Sequence, residues 1–166
     1  IIAQVDWATR NGGKTMRYDI RYDPAQNDSL WGNQTKAWTV GESNVGDPAD
    51  LVNFVKWVHN NATYQACSYA LILWDRSGDY YGGDGWKGNP DDGTRPRGFL
   101  RNVNPSRDVL ELKELQAAMS TIKTLLNRPL DLLIFDSSLM SMLEVADMMK
   151  DSVNYMVASE AAEGPD

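Results

Sequence analysis

The amino-acid sequence predicts a three-layer α/β/α sandwich built around a mostly parallel central sheet. Two short, continuously apolar runs, residues 69–75 ("YALILWD") and 130–136 ("LDLLIFD"), are typical of strands that are covered on both faces. Segments with apolar residues at helical spacing alternate with these runs along the chain. Because parallel neighbours need a crossover connection, this alternation favours βαβ units with helices on both faces of the sheet.

The amino-terminal part of the chain is predicted to form short strands. Residues 1–7 ("IIAQVDW") are a β-branched and aromatic run, and residues 16–23 and 36–42 alternate between apolar and polar side chains as hairpin strands do. The segments between them are rich in Gly, Asn and Pro, which is the chemistry of turns. We therefore predict β-hairpin structure before the first helix.

Three later segments are predicted to be helices. Residues 48–61 follow Asp47, a suitable N-cap, and begin with a proline at the first helical position. Residues 141–151 form the third helix, and residues 153–160 a final strand. The second helix covers residues 108–127 and carries one apolar face, which consists of Leu112, Leu115, Met119, Ile122 and Leu126.

Residues 76–107 are rich in Gly, Asp, Asn and Pro, and a connection of this length is usually functional. Carboxylate oxygens suit calcium, but the spacing of the aspartates does not match an EF-hand loop, and Gly with Asp is ordinary loop composition. We therefore expect a loop and no cofactor, with calcium as a weaker alternative. The aspartates concerned are Asp79, Asp84, Asp91 and Asp92.

Composition narrows the classes of function. At 166 residues with 42% hydrophobic residues, the chain is predicted to form a single domain over residues 1–166. A net charge of −7 disfavours nucleic acid as a partner. No run approaches the ~18 apolar residues that a membrane span needs, so we expect no membrane partner. No signal segment is visible either, and the sequence leaves open whether the protein is extracellular or cytoplasmic. One Cys (Cys67) and one His (His59) are too few for a Cys/His metal site.

The ends of the two apolar strands are the first candidate site. In an open parallel sheet, ligands bind beyond the carboxyl ends of the strands. If the two strands are neighbours, Asp75 and Arg76 face Asp136 and Ser138 across one crevice. Glu160, after the last strand, is a further candidate for the rim of the pocket.

Several motifs together resemble the clostripain-like cysteine peptidases, which share a fold group with caspases and gingipains. "LILWDRS" at residues 71–77 resembles the family's "LILWDHG", and "FDSSLMSMLEV" at residues 135–145 resembles "FDACLMG" followed by Val-Glu. "YMVASEAAEGPD" at residues 155–166 is similar to "YMVASEE" and "GPGW", and residues 44–58 resemble "NMGDPETLxxFLxW". The motifs occur in the family's order over essentially the whole chain. The resemblance implies a caspase-like fold.

The two positions that carry the family's chemistry differ here. In the family a His after the first strand is the base and a Cys after the second is the nucleophile; Arg76 and Ser138 stand at those positions. A guanidinium stays protonated and cannot accept the proton of a serine. We expect the only histidine, His59, at the opposite edge of the sheet, because a helix and the strand that follows it run antiparallel. The resemblance therefore implies a peptidase fold without peptidase chemistry: a pseudopeptidase with a binding, regulatory or scaffolding role.

Two other functions are kept open by the sequence. The first is an active hydrolase that uses Ser138 with an acid such as Asp75, or a peptidase that is completed by residues outside this chain. The second is a purely structural domain of a larger protein.

Recognition of basic peptides is the part of the family's function that we expect to survive. By resemblance, Asp136 stands at the position of a family aspartate that helps to form the pocket for Arg or Lys. A carboxylate can make a charge-assisted hydrogen bond with such a side chain. Asp75 and Glu160 are further candidates for binding. The alternative is that Asp136 pairs with Arg76 or caps a helix that begins near Ser138.

The resemblance carries two further expectations. The family can be cleaved in the region between the dyad positions, which points to Lys87, Arg95 or Arg97 as cleavage sites. Family members also continue with further strands after "ASEEA". We therefore expect the chain to be truncated at its C-terminal end and its open sheet edge to allow self-association.

Overall fold

A computed structural model describes most of the chain, and its Cα positions divide the protein into two compact units, Ile1–Asn44 and Val45–Asp166. The prediction that residues 1–166 form one domain stays a prediction. Residues 98–101 are described by their backbone alone. The residues that the structure describes are 1–7, 13–21, 36–74, 98–101, 108–137 and 140–161.

The first unit contains the predicted hairpin strands. Its sheet has three antiparallel strands in the order β1–β2–β3, so that β2 pairs on both sides. The second strand was predicted at residues 16–23 but ends at Asp19, because Asp19 pairs with Ile2, the first residue of β1. The strands are β1 Ile2–Asp6, β2 Thr15–Asp19 and β3 Lys36–Gly41.

The second unit contains the predicted parallel sheet and three helices. In chain order its elements are α1 Pro48–His59, a short 3₁₀ turn Ala62–Tyr64, β4 Ala70–Trp74, β5 Gly98–Arg101, β6 Val109–Glu111, α2 Leu112–Leu126, β7 Leu130–Asp136, α3 Leu143–Met149 and β8 Val153–Val157. Strands β4, β7 and β8 are parallel and adjacent in that order. The prediction of a mixed α/β fold with a parallel sheet is therefore confirmed.

Local chemistry explains where the first two helices begin. The carboxylate of Asp47 accepts a hydrogen bond of 2.8 Å from the backbone N–H of Ala49, and Pro48 occupies the first turn. Helix α2 begins with a capping box in which the backbone N–H of Glu111 donates to the Glu114 carboxylate at 2.9 Å. It ends at Asn127, which has a left-handed φ of 55°.

Two predictions near the long loop were wrong in part. Strand β5 lies within residues 76–107, which were predicted to be loop throughout, and β5 pairs antiparallel with β6. Strand β6 also takes the start of the predicted helix 108–127, which therefore begins only at Leu112. Strand pairing between β5 and β6 outweighs the helical periodicity of residues 109–111 here.

The core of the second unit lies on one face of the parallel sheet. Alternate residues of β4 and β7, such as Leu71 and Leu133, face this core. Helices α1, α2 and α3 all contribute to the same cluster, so the described helices cover this one face. Methionines also fill this core, since Met140 and Met149 are buried. The buried helical residues are Leu51, Leu115, Ala118, Met119, Ile122, Val145 and Met149.

The opposite face of β4 is accessible, although the continuous apolar run predicts a strand that is covered on both faces. Leu71 and Leu73 are buried, while Ile72 and Trp74 between and after them are exposed. The crossovers from β4 to β7 and from β7 to β8 step in the same direction across the sheet. Right-handed crossovers that step in one direction place their helices on one face, which leaves the other open.

Among the described residues, no helix is both long and apolar enough to span a lipid bilayer.

Candidate functional site

The carboxyl ends of β4 and β7 lie side by side, as a shared site requires. Trp74, the last residue of β4, is in register with Asp136, the last residue of β7. Residues in register on parallel neighbours project from the same face, so the Trp74 indole and the Asp136 carboxylate share the open face. Asp75, Arg76 and Ser138 lie outside the described residues.

Asp136 is exposed at this edge, and one alternative role for it is excluded. Helix α3 begins at Leu143 with Met142 as N-cap, and no side chain caps it. The prediction that Asp136 caps a helix beginning near Ser138 was therefore wrong, because the helix that follows β7 begins only at Leu143. The alternative pairing of Asp136 with Arg76 involves a residue outside the described ones.

The segments that follow β7 and β8 are joined at the same edge. The backbone N–H of Ser141 donates a hydrogen bond of 3.0 Å to the carbonyl oxygen of Ser159. The hydroxyl of Ser159 in turn donates to the carbonyl of Ala161 at 3.1 Å, which forms a tight turn around Glu160. Glu160 is exposed and follows the parallel neighbour of β7. The structure therefore places two exposed carboxylates, Asp136 and Glu160, on one edge of the sheet.

The only histidine lies at the other end of the sheet, as predicted. The ring of His59 contacts the ring of Tyr69 with centroids 6.3 Å apart, and Tyr69 directly precedes β4. The length of β4 separates Tyr69 from the carboxyl edge by about 13 to 16 Å. Cys67 is exposed at this amino edge as well. Neither His59 nor Cys67 therefore belongs to the candidate site.

An ion pair at the amino edge was not predicted from the sequence. Arg128 lies 2.8 Å from the Asp131 carboxylate and also donates to the carbonyl of Cys67 at 2.8 Å. Asp131 accepts a hydrogen bond of 2.8 Å from the backbone N–H of Tyr69. This N–H, together with Arg128, holds the pKa of Asp131 below its ordinary value, although partial burial opposes the shift. The only signal in the sequence is the spacing of three between Arg128 and Asp131.

One open cavity of about 620 Å³ lies beside the end of α1, away from the carboxyl edge. Its lining combines one indole with amide side chains and a lysine: Asn53, Lys56, Trp57, Asn60, Asn61 and Ala62. Within the described part of the chain, no group of three or more His, Cys, Asp or Glu side chains is arranged to hold a metal ion.

The described residues of the carboxyl edge are suited to binding. An exposed carboxylate next to an exposed indole can hold a Lys or Arg side chain. The carboxylate pairs with the positive charge of that side chain, and the indole ring packs against its aliphatic stem or its cationic group. Proton transfer needs a base within hydrogen-bond reach, and the chain's one histidine lies at the opposite edge.

Comparisons with known proteins show a family likeness over most of the chain. The model of the clostripain family, Peptidase_C11, matches residues 22–165. A solved structure of a secreted C11 cysteine protease from Bacteroides thetaiotaomicron, in complex with an irreversible peptide inhibitor, has a TM-score of 0.56 and 18% identity over 89% of this chain. A second structure of a secreted C11 cysteine protease from the same organism, iotapain, has a TM-score of 0.60 and 16% identity over 98% of this chain.

The two solved chains are much longer than this one. This chain covers 35% of the first and 42% of the second. A comparison with curated protein sequences gives no significant match. The likeness to the solved structures confirms the caspase-like fold.

Proposed function

Because the chain belongs to the clostripain family, we propose that it is a catalytically inactive member of that family which binds peptide segments rich in Arg or Lys. The observation that carries the proposal is the pair of residues at the family's dyad positions, Arg76 and Ser138. The position of His59 at the amino edge supports it, since His59 cannot replace the missing base from there.

The absence of a base is the chemical reason for inactivity. A serine hydroxyl is hardly ionised near neutral pH, so Ser138 needs a neighbouring group that accepts its proton. Arg76 cannot do so, because its guanidinium stays protonated. The protein then acts as a binding, regulatory or scaffolding module.

Asp136 is the residue that we propose for recognition. Its carboxylate is exposed at the carboxyl edge and shares the open face with Trp74. A charge-assisted hydrogen bond to a guanidinium or ammonium group is about twice as strong as a neutral one. Glu160 on the adjacent strand end adds negative charge, which favours basic ligands over neutral and acidic ones.

We predict no hydrolysis of fluorogenic peptides with Arg or Lys before the scissile bond, with or without added calcium. An active clostripain-family peptidase serves as the positive control in the same assay. Turnover that Ser138→Ala removes would contradict the proposal. Labelling of Ser138 by a fluorophosphonate probe would instead favour the serine hydrolase.

We predict that a short peptide with a central arginine binds about tenfold more tightly than the same peptide with citrulline, which keeps the shape of arginine without its charge. Isothermal titration calorimetry measures both affinities. Asp136→Asn should remove the difference, whereas Asp151→Asn, an exposed carboxylate just before β8, should leave it unchanged. Equal binding of the two peptides by the parent protein would exclude recognition of the charge.

A further inference from the structure

The open cavity beside the end of α1 is formed by one face of that helix and by the turn that follows it. Leu51, on the opposite face of α1, is buried in the core, so the helix uses one face for packing and presents the other to the cavity. The lining residues of α1 and its C-cap recur at spacings of three and four, which places them on one face: Asn53, Lys56, Trp57 and Asn60.

The indole of Trp57 is the large apolar group of the cavity. It is half-buried and contacts the ring of Tyr64, with centroids 5.7 Å apart and an angle of 53° between the planes. This contact holds the indole against the 3₁₀ turn, whose first residue, Ala62, also lines the cavity. A flat aromatic ring with polar groups around it suits a ligand that has an apolar face and a polar edge. A pyranose sugar is such a ligand, because its C–H groups form one face and its hydroxyls form the edge.

Three asparagine side chains supply the polar groups around the indole. The side-chain oxygen of Asn61 accepts a hydrogen bond of 3.0 Å from the backbone N–H of Thr63, which fixes this side chain and leaves its NH₂ group to donate. Asn53 and Asn60 are exposed at the cavity. An amide side chain both donates and accepts hydrogen bonds, and neighbouring sugar hydroxyls do the same.

Lys56 supplies the charge of the cavity. Its side chain is exposed, and the other described residues that line the cavity are uncharged. A ligand carboxylate beside this ammonium group forms a charge-assisted hydrogen bond. The net charge of −7 opposes an anionic ligand only at long range, because salt screens exposed charges beyond about 8 Å at physiological ionic strength.

We propose that this cavity binds a pyranose sugar that carries a carboxylate, of the hexuronic acid class. The indole of Trp57 packs against the C–H face of the sugar, the asparagine amides bond to its hydroxyls, and Lys56 pairs with its carboxylate. The cavity volume of about 620 Å³ lies within the range of about 300–1,000 Å³ that is typical of small-molecule sites. The site does not include Asp136, so it is independent of the peptide binding proposed above.

The test uses the 166-residue protein and two sugars of matched shape. Methyl β-D-glucuronide carries a carboxylate where methyl β-D-glucoside carries a hydroxymethyl group. Titrations followed by NMR of the ¹⁵N-labelled protein should show saturable binding of the glucuronide and several-fold weaker binding of the glucoside. The indole N–H signal of Trp57 should shift with both sugars, because both stack on the same ring.

Two variants separate the charge from the stacking surface. Lys56→Met keeps an aliphatic side chain without the ammonium group and should abolish the preference for the glucuronide, while the glucoside binds as before. Trp57→Ala should weaken binding of both sugars about tenfold. Lys113→Met, at an exposed lysine of α2, is the matched control and should leave both affinities unchanged. Circular dichroism verifies that each variant is folded, and the exposed position of Lys56 keeps that variant informative if Trp57→Ala unfolds.

Three results would overturn the proposal. The first is a glucuronide titration that leaves the Trp57 indole signal unchanged. The second is equal affinity of the parent protein for the two sugars, since the carboxylate then adds nothing. The third is acetate that shifts the same signals with the affinity of the glucuronide, because the ammonium group then binds any carboxylate. A preference for the glucuronide that Lys56→Met removes and Lys113→Met retains supports the proposal.

Discussion

At the scale of single residues, Asp131 connects the starts of two neighbouring strands. Its carboxylate accepts the backbone N–H of Tyr69, just before β4, and pairs with Arg128, just before β7. The Arg128 guanidinium also lies 6.0 Å from the centre of the Tyr69 ring and donates to the carbonyl of Cys67. The Asp131 carboxylate thus satisfies the Tyr69 N–H, and the Arg128 guanidinium satisfies the Cys67 carbonyl, both of which are backbone groups that lie before β4. The cluster thereby fixes how β4 and β7 begin relative to one another.

The stability that Asp131 provides should depend on acidic pH. Its folded-state pKa lies below the ordinary value of 3.8, chiefly because the Tyr69 N–H stabilises the charged form. Because the pKa of Asp131 is depressed in the folded protein, its contribution to stability is complete at pH values above the ordinary pKa. That contribution is lost as the pH falls through the lower pKa of the folded state. Asp131→Asn should therefore lower the melting temperature near pH 6, with a difference that narrows in more acidic buffer.

Melting curves between neutral pH and about pH 2.5 measure this difference. Asp151→Asn, at an exposed position outside the cluster, is the control and should show no such narrowing. If the melting temperatures of Asp131→Asn and the parent protein differ by the same amount at every pH, the role of the Asp131 charge in stability is contradicted.

At the scale of elements, the boundary between β6 and α2 shows two local signals in competition. The apolar periodicity of residues 108–127 is helical, yet residues 109–111 are paired with β5. The helix then begins where the Glu111 and Glu114 side chains form the capping box. A glycine upstream adds to this arrangement: a Cβ on Gly46 would lie 2.7 Å from the backbone carbon of Asp108, so only glycine lets the two segments approach.

Glu114 should stabilise α2 through this capping box. Glu114→Ala removes the acceptor of the Glu111 N–H and should lower the free energy of unfolding by about 1 kcal/mol. Glu114→Gln keeps an acceptor at the same position and should lose less than half as much. Urea denaturation followed by circular dichroism measures both, and equal losses in the two variants would refute the role of the cap.

At the scale of the whole molecule, the second unit is organised by the two faces of its parallel sheet. Leu73 on one face is 4% exposed and packs in the core, while its neighbour Ile72 on the other is 56% exposed. The covered face packs against the helices, and the open face carries exposed apolar side chains and leads to Asp136. The core and the exposed residues thus lie on opposite sides of the same three strands.

Adjacent alanine substitutions in β4 should separate the two faces. Leu73→Ala leaves a cavity in the core and should cost about 2–5 kcal/mol of unfolding free energy. Ile72→Ala removes a side chain that is mostly in water and should cost less than about 1 kcal/mol. Urea denaturation of both variants measures the difference, and a larger loss for Ile72→Ala would show that the open face is packed in solution.

The order and type of most elements could be predicted from the sequence, because the signals act over a few residues. The spacing of apolar residues and the Asp47–Pro48 start indicate α1, and the continuous apolar runs indicate β4 and β7. The parallel sheet follows from their alternation with helices, and it brings the ends of β4 and β7 together. Asp136 could therefore be placed at the candidate site from sequence alone.

What only the tertiary structure decided depends on residues far apart in the chain. The bond between Tyr69 and Asp131 joins positions separated by 62 residues, and no local pattern encodes it. The same is true of the face on which α2 and α3 lie. The β5–β6 pairing joins neighbouring segments, yet it outweighs a helical pattern. A continuous apolar strand is compatible with burial on either side. The direction of the crossovers selects the buried side, and it is a property of the whole sheet rather than of any segment.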